Sequence, residues 1–313
     1  MKALFVSHLE ERCGVGQFGR HIAKTLVDSD EEVEWQAIIC NDPTPFMQVY
    51  QLFKPDVVVY NHHPATMPWY YKGIVEKPAV GIIHESTWVS DGSPMLQAFD
   101  YIIHPDPTFP EVSTPVPLFR TPRLLYEWDT QPSPYDIPTF GSFGFGFLNK
   151  VYVELIKMIE AEFDEAIIRL HIPFARYGDN NGEQALAQAR MCRETVSKPG
   201  IQLEITHDYM RTNDLLQWLA DNWMNCFMYT ENRGRGLSST TDYALSVDRP
   251  IAINNSYQFR HLTNTTPSIM MEDLSLREIM DNGVTPLLPL KEAYSAKNFI
   301  KCYNDMIKTI LED

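Results

Sequence analysis

Apolar residues fall in short continuous blocks along the first third of the chain: 2–8 (KALFVSH), 33–40 (VEWQAIIC), 55–63 (PDVVVYNHH), 77–86 (KPAVGIIHES) and 99–106 (FDYIIHPD). Between them lie segments of a different period. In 20–28 Ile22, Leu26 and Val27 recur at helical spacing, and 45–54 reads the same way. Val/Ile-rich blocks alternating with helical segments predict a parallel sheet covered on both faces. The alternation restarts at 139–146 (strand and loop). It continues through 150–163 (helix), 165–174 (strand), 183–196 (helix), 201–207 (strand), 212–222 (helix), 225–230 (strand), 240–247 (helix) and 249–255 (strand). A last segment, 291–313, carries Tyr294, Phe299, Tyr303, Met306 and Ile310 on one helical stripe and predicts a long closing helix.

Two consecutive α/β halves therefore follow from periodicity alone, and length agrees. A chain of 313 residues exceeds the roughly 100–200 usual for one domain. Between 105 and 138 the composition shifts, with nine of the 22 prolines in 34 residues. Proline removes a backbone donor and is excluded from helix interiors, so the passage between domains belongs there. The expected organisation is a first Rossmann-like domain at 1–120, a proline-rich linker at 121–138, a second Rossmann-like domain at 139–290 and a closing helix at 291–313. A composition that is 44% hydrophobic and 21% charged is that of a folding chain rather than a disordered one.

Charge and cysteine content narrow the classes. A net charge of −15 argues against nucleic-acid binding, which draws on clustered Lys and Arg. The five cysteines are odd in number, widely spaced and free of CxxC pairs, which fits reduced thiols in a cytoplasmic protein. No stretch approaches the ~18 apolar residues of a membrane span, leaving only peripheral membrane contact open. Oligomeric state is not legible.

Several strings in fixed order resemble the retaining glycosyltransferases of the GT-B fold, especially the large family 4 group. CGVGQFGRHIAKTL (13–26) is similar to that family's glycine-rich first turn, with Gly14 and Gly16 where backbone approaches a sugar-phosphate at a helix start. FGSFGFGFLNK (140–150) resembles its strand, glycine loop and phosphate-binding lysine, which falls on Lys150. TENRGRGLSSTTDYALSVDRPIAINN (230–255) resembles the stretch in which a glutamate holds the donor ribose, here Glu231, and a glycine-rich turn offers amides to the diphosphate, here Gly236, Leu237, Ser238 and Ser239. The resemblance implies two Rossmann-like domains facing each other across a cleft. It also implies a nucleotide-sugar donor as substrate, a glycan or other acceptor, no cofactor and no bound metal, and a final helix packing back on the first domain.

Two positions depart from the family pattern. Where the family has an arginine five residues before the lysine, this chain has Phe145, and the place of a second glutamate falls on Tyr243, beside Asp242. The intervening loop is longer and contains Arg233 and Arg235, either of which is a candidate replacement for the missing cation.

Three predicted strands of the first half end in histidine: His62 and His63 after Asn61, His84 before Glu85, and His104 before Asp106. In a parallel sheet the carboxyl ends of neighbouring strands share one crevice. IIHES resembles the family position at which a histidine contacts the transferred sugar, so His84 joins Lys150 and Glu231 as a candidate catalytic residue, donating as a neutral ring or a cation. The aromatic run Trp69, Tyr70, Tyr71 is a candidate acceptor platform, with ordinary packing as the equal alternative. Other readings stay open: a nucleotide-sugar or glycan-binding protein without chemistry, a metallohydrolase built on His62, His84, Glu85, His104 and Asp106, and an epimerase of the same architecture.

Overall fold

The computed structural model describes residues 1–29, 32–89 and 93–312. The chain divides into two compact units: Met1–Leu124 with Arg233–Leu237 and Ala293–Asp313, and Leu125–Asn232 with Ser238–Glu292.

The first unit holds β1 (Lys2–Ser7), α1 (Gly14–Val27), β2 (Glu34–Ile39), α2 (Pro43–Phe53), β3 (Val57–His62), β4 (Ala79–Ile83), the short α3 (Met95–Ala98), β5 (Tyr101–His104) and β6 (Leu118–Arg120). Its six strands pair in the order β2-β1-β3-β4-β5-β6, all parallel. β3 is buried at all six positions, as a strand covered on both faces must be. β6 lies inside the proline-rich stretch that the sequence assigns partly to a passage between domains. Three residues with a polar end are too few to display a period.

The second unit holds β7 (Thr139–Phe143), α4 (Tyr152–Glu162), β8 (Ala166–His171), α5 (Glu183–Thr195), β9 (Ile201–Thr206), α6 (Thr212–Ala220), β10 (Met224–Phe227), α7 (Thr240–Ser246), β11 (Ile251–Ile253) and α8 (Leu276–Asn282). Its parallel strands pair in the order β11-β10-β7-β8-β9. α8 spans only seven residues and is set by a reciprocal capping box between Ser275 and Glu278. Periodicity does not reveal a helix that short.

The chain closes with α9 (Leu288–Ala293) and α10 (Ala296–Glu312). Phe299, Tyr303, Met306, Ile307 and Ile310 of α10 share one buried cluster with Ala3 and Phe5 of β1 and Ile22 and Leu26 of α1. Trp35 Nε1 donates to Asn304 Oδ1 at 2.9 Å, fixing the helix register on β2. The opposite face of the same sheet buries Leu4, Val6, Val58 and Tyr60 against Phe46 of α2 and Phe99.

Each sheet has one place where the strand order reverses: between β1 and β3 in the first unit, and between β7 and β10 in the second. At such a point the loops leaving the two strands diverge to opposite faces, opening a crevice at the carboxyl ends where α/β proteins bind ligands.

Candidate functional site

In the second unit Lys150 stands at the reversal point. After β7 the chain turns through Gly144, whose φ of +147° is a region that side chains rarely enter. Lys150 then forms an antiparallel bridge with Tyr229, which follows β10. Its Nζ sits over the Tyr229 ring at 3.2 Å from the centroid. A Cβ on Gly144 would lie 3.0 Å from Lys150 Cε and 3.1 Å from Nζ, so the glycine makes room for the ammonium. Lys150 is 8% exposed, and burial pushes its pKa well below the lysine range, with no carboxylate among the described residues offsetting the cost.

The tyrosine under the ammonium connects it to the next predicted residues. Tyr229 OH, Ser238 Oγ and Thr240 Oγ1 form a ring of mutual hydrogen bonds at 2.9–3.0 Å. Lys150 and Ser238 therefore belong to one cluster. The Ser238 amide donates to Gln258 O at 3.0 Å and is engaged within the protein. Ser239 is the N-cap of α7 without a side-chain cap bond. Glu231 is exposed, and its Oε2 accepts from the Tyr257 amide at 2.8 Å.

The two departures from the family pattern also have places. Phe145 is half-buried, 6.1 Å from the Phe147 ring. Tyr243 is buried, stacked on Tyr126 at 4.3 Å and edge-on to Phe143 at 5.6 Å, so an aromatic pair occupies what would be a carboxylate position.

In the first unit the corresponding point lies where β1 and β3 part. Asn61, fully buried near the end of β3, gives one amide hydrogen to Ser7 Oγ (3.0 Å) and the other to Val15 O (2.7 Å). Its Oδ1 meets His84 Nε2 at 2.7 Å. Gly19 of α1 permits this packing, because a Cβ there would lie 2.3 Å from both Asn61 Nδ2 and Ser7 Oγ. Phe18 meets the His84 ring edge-on at 4.9 Å. Burial, then the Arg123 guanidinium and the neighbouring His104, His63 and His8, hold the His84 pKa well below that of free histidine, so the ring is neutral at pH 7. Of the two expected forms, neutral ring or cation, this environment favours the neutral ring.

The glycine-rich first turn lies beside this centre. Gly14 opens α1, and a Cβ on Gly16 would lie 2.2 Å from Glu10 O and 2.9 Å from His8 Cε1. Gly16 is thus fixed by the protein's own backbone.

The segment Arg233–Leu237 belongs to this unit. Thr87 N donates to Gly234 O (3.2 Å), Ser86 Oγ to Arg235 O (3.0 Å) and Arg235 Nη1 to Glu85 Oε1 (2.7 Å). A Cβ on Gly236 would stand 1.9 Å from His84 O, so this glycine packs directly on the His84 backbone. Arg235 is paired with Glu85 within the first unit. Arg233 is exposed, and Leu237 is half-buried.

The remaining histidines are engaged in packing and turns. His62 is edge-on to Tyr70 (5.4 Å) and Phe99 (5.3 Å), His63 Nδ1 accepts from Ala65 N (3.1 Å), and His104 Nδ1 bonds Ile83 O (2.7 Å). Asp106 Oδ1 accepts from both the amide and hydroxyl of Thr108. Among the described residues no three His, Cys, Asp or Glu side chains are grouped to hold a metal ion. Of the aromatic run, Trp69 packs on Phe46 and Tyr70 stacks on Phe99 at 4.6 Å, leaving only Tyr71 exposed.

Sequence reasoning missed Tyr229 and Arg123 and placed Asn61 only as a neighbour of histidines. Arg123, 3% exposed and 5.1 Å from the Phe18 ring, falls in the stretch read as linker. One sequence signal was available: Gly19, inside an amphipathic helix, costs about 1 kcal/mol relative to alanine and so marks a close approach.

No family model and no curated protein matches the sequence. Solved structures do match the fold. The GtfA/B complex aligns with TM-score 0.57 at 12% identity over 86% of this chain, which spans 60% of that one. A trehalose-6-phosphate synthase, studied for glycosyl transfer with retention, gives 0.61 at 9% identity over 98% of this chain and 99% of its own. HepE of Anabaena in complex with UDP and glucose gives 0.61 at 11% over 99% and 100%. The chain thus has the fold of the GT-B glycosyltransferases. No helix among the described residues is long and apolar enough to cross a membrane.

Proposed function

We propose that this protein transfers a sugar from a nucleoside diphosphate sugar to an acceptor. The observation that carries the reading is Lys150, a buried lysine whose burial no carboxylate among the described residues offsets, held over Tyr229 at the strand-order reversal of the second unit. Burying an unpaired ammonium is costly, and an anionic ligand at that point offsets the cost. A departing nucleoside diphosphate is such an anion, and the protonated lysine stabilises the charge it gains as the glycosidic bond breaks.

Glu231, in the same unit as Lys150, serves the ribose. Lys150 and the hydroxyls beside it meet the diphosphate charge, so transfer proceeds without a divalent metal. HepE, whose structure carries UDP and glucose, makes UDP the first nucleotide to try, and the trehalose-6-phosphate synthase suggests that the anomeric configuration is retained. A second reading rests on Tyr243, whose stacking on Tyr126 replaces a carboxylate: a protein that binds the nucleotide sugar without turning it over.

The test is a thermal-shift and calorimetric screen of nucleoside diphosphates and their sugars, followed by detection of released nucleoside diphosphate with and without chelator. Binding that Lys150→Ala weakens roughly tenfold to a hundredfold is expected from the 1.5–3 kcal/mol of a charge-assisted hydrogen bond. Binding without release selects the second reading, and no binding by any nucleotide overturns both.

A further inference from the structure

We infer that Asn61 is a positioning residue that locks His84 in one tautomer, with Nε2 protonated and Nδ1 presented as a bare acceptor. The inference rests on the transferase reading only for the identity of the ligand. The tautomer follows from hydrogen-bond accounting.

An asparagine amide has two donor hydrogens and one acceptor oxygen. Both hydrogens of Asn61 are committed, and Val15 O is a carbonyl that can only accept, so Nδ2 must face it. Oδ1 is thereby fixed toward His84, and only an Nε2–H can satisfy that 2.7 Å contact. Asn61 is fully buried between β1, β3 and α1 and cannot turn over without leaving Val15 O facing another oxygen. Phe18, edge-on to the ring, and Gly236, packed on the His84 carbonyl, hold the imidazole from two further sides. The ring is neutral, so its second nitrogen carries a lone pair and no proton. Among the described residues Nδ1 has no hydrogen-bond partner.

The chemical class of its ligand follows. A lone pair repels a phosphate or carboxylate oxygen and accepts from an O–H. His84 Nδ1 therefore takes a hydroxyl and not a phosphate oxygen.

Long-range proton–nitrogen NMR on protein carrying ¹⁵N-histidine reads the tautomer directly and needs no ligand. For His84 the expected pattern is a protonated Nε2 and an unprotonated Nδ1. In Asn61→Ala the two shifts should move toward the tautomer average. Asn61→Asp keeps the size of the side chain in case the alanine variant does not fold, and its carboxylate should raise the His84 pKa measurably. A protonated Nδ1 in the parent, or a tautomer and pKa unmoved in both variants, overturns the inference. The ligand class is read from substrate dependence: His84→Asn, which can keep an acceptor near the Nδ1 position, should retain more affinity for UDP-glucose over UDP than His84→Gln, which keeps only the contact to Asn61. Equal loss in both overturns the hydroxyl assignment. Failure of UDP and UDP-glucose to bind strikes the transferase reading and leaves the tautomer result standing.

Discussion

Lys150 Nζ lies 3.2 Å from the centre of the Tyr229 ring, and the same tyrosine's hydroxyl closes a hydrogen-bonded ring with Ser238 and Thr240. A cation–π contact recovers part of the desolvation cost of a buried ammonium, but not the amount a carboxylate would supply. The site therefore trades stability for affinity, and Lys150→Met separates the two. The variant should be more stable than the parent without ligand, by ~1 kcal/mol, while its affinity for nucleoside diphosphate falls. A denaturant midpoint below that of the parent would contradict this account.

Proton linkage gives an independent check. Burial lowers the Lys150 pKa in the free protein, and a bound diphosphate raises it again, so binding should take up a proton at a pH between the two values. Calorimetry in buffers of different ionisation enthalpy measures that uptake. It should vanish in Lys150→Met.

Glu231 should distinguish nucleotide from bare phosphate. Its exposed carboxylate has one oxygen on the Tyr257 amide. Glu231→Ala should weaken nucleoside diphosphate binding about tenfold, the value of one hydrogen bond to a charged group, and leave inorganic diphosphate unchanged. Equal loss for both ligands would place Glu231 on the phosphates.

Gly144→Ala tests the geometry that seats the lysine. At φ +147° a side chain costs of order 1–3 kcal/mol, and its Cβ would meet Lys150 Cε at 3.0 Å. A lower melting temperature together with weakened diphosphate binding is expected. Normal binding in a folded variant would show that Lys150 does not need this seat.

Acid should destabilise the fold early. Burial lowers the pKa of His8, His62 and His171 to about 4 and of His21 to about 3, and those of His63 and His84 also fall. Below about pH 6.5 the unfolded chain binds protons that the folded one refuses, so stability is complete above that pH and lost as pH falls. Each such ring contributes about 1.4 kcal/mol per pH unit in that window. Urea midpoints at pH 7, 6 and 5 should drop steeply; a flat series would mean that these rings are solvated.

The hydrophobic code pointed to the architecture, because strands buried on both faces must be continuously apolar and helices covering them must be amphipathic: Val57, Val58 and Val59 in β3, and Ile22 and Leu26 in α1, carry those two patterns. The order of these blocks also marked the strand ends at which candidate residues would stand, and the family resemblance picked out Lys150 and His84. The sequence could not say which side chains meet. The Lys150–Tyr229 pair spans 79 residues of chain, and Asn61–His84 spans 23. Each contact exists because strand pairing, a non-local choice, brings the carboxyl ends of two strands and the residues around them to the same edge of a sheet. Tertiary structure also decided charge. His84 reads from sequence as a neutral donor or a cation, and Arg235 as one of two candidate phosphate ligands. Burial keeps the first neutral, Asn61 engages its Nε2, and Glu85 pairs with the second, since solvation and partners belong to a place in the fold and not to a residue type.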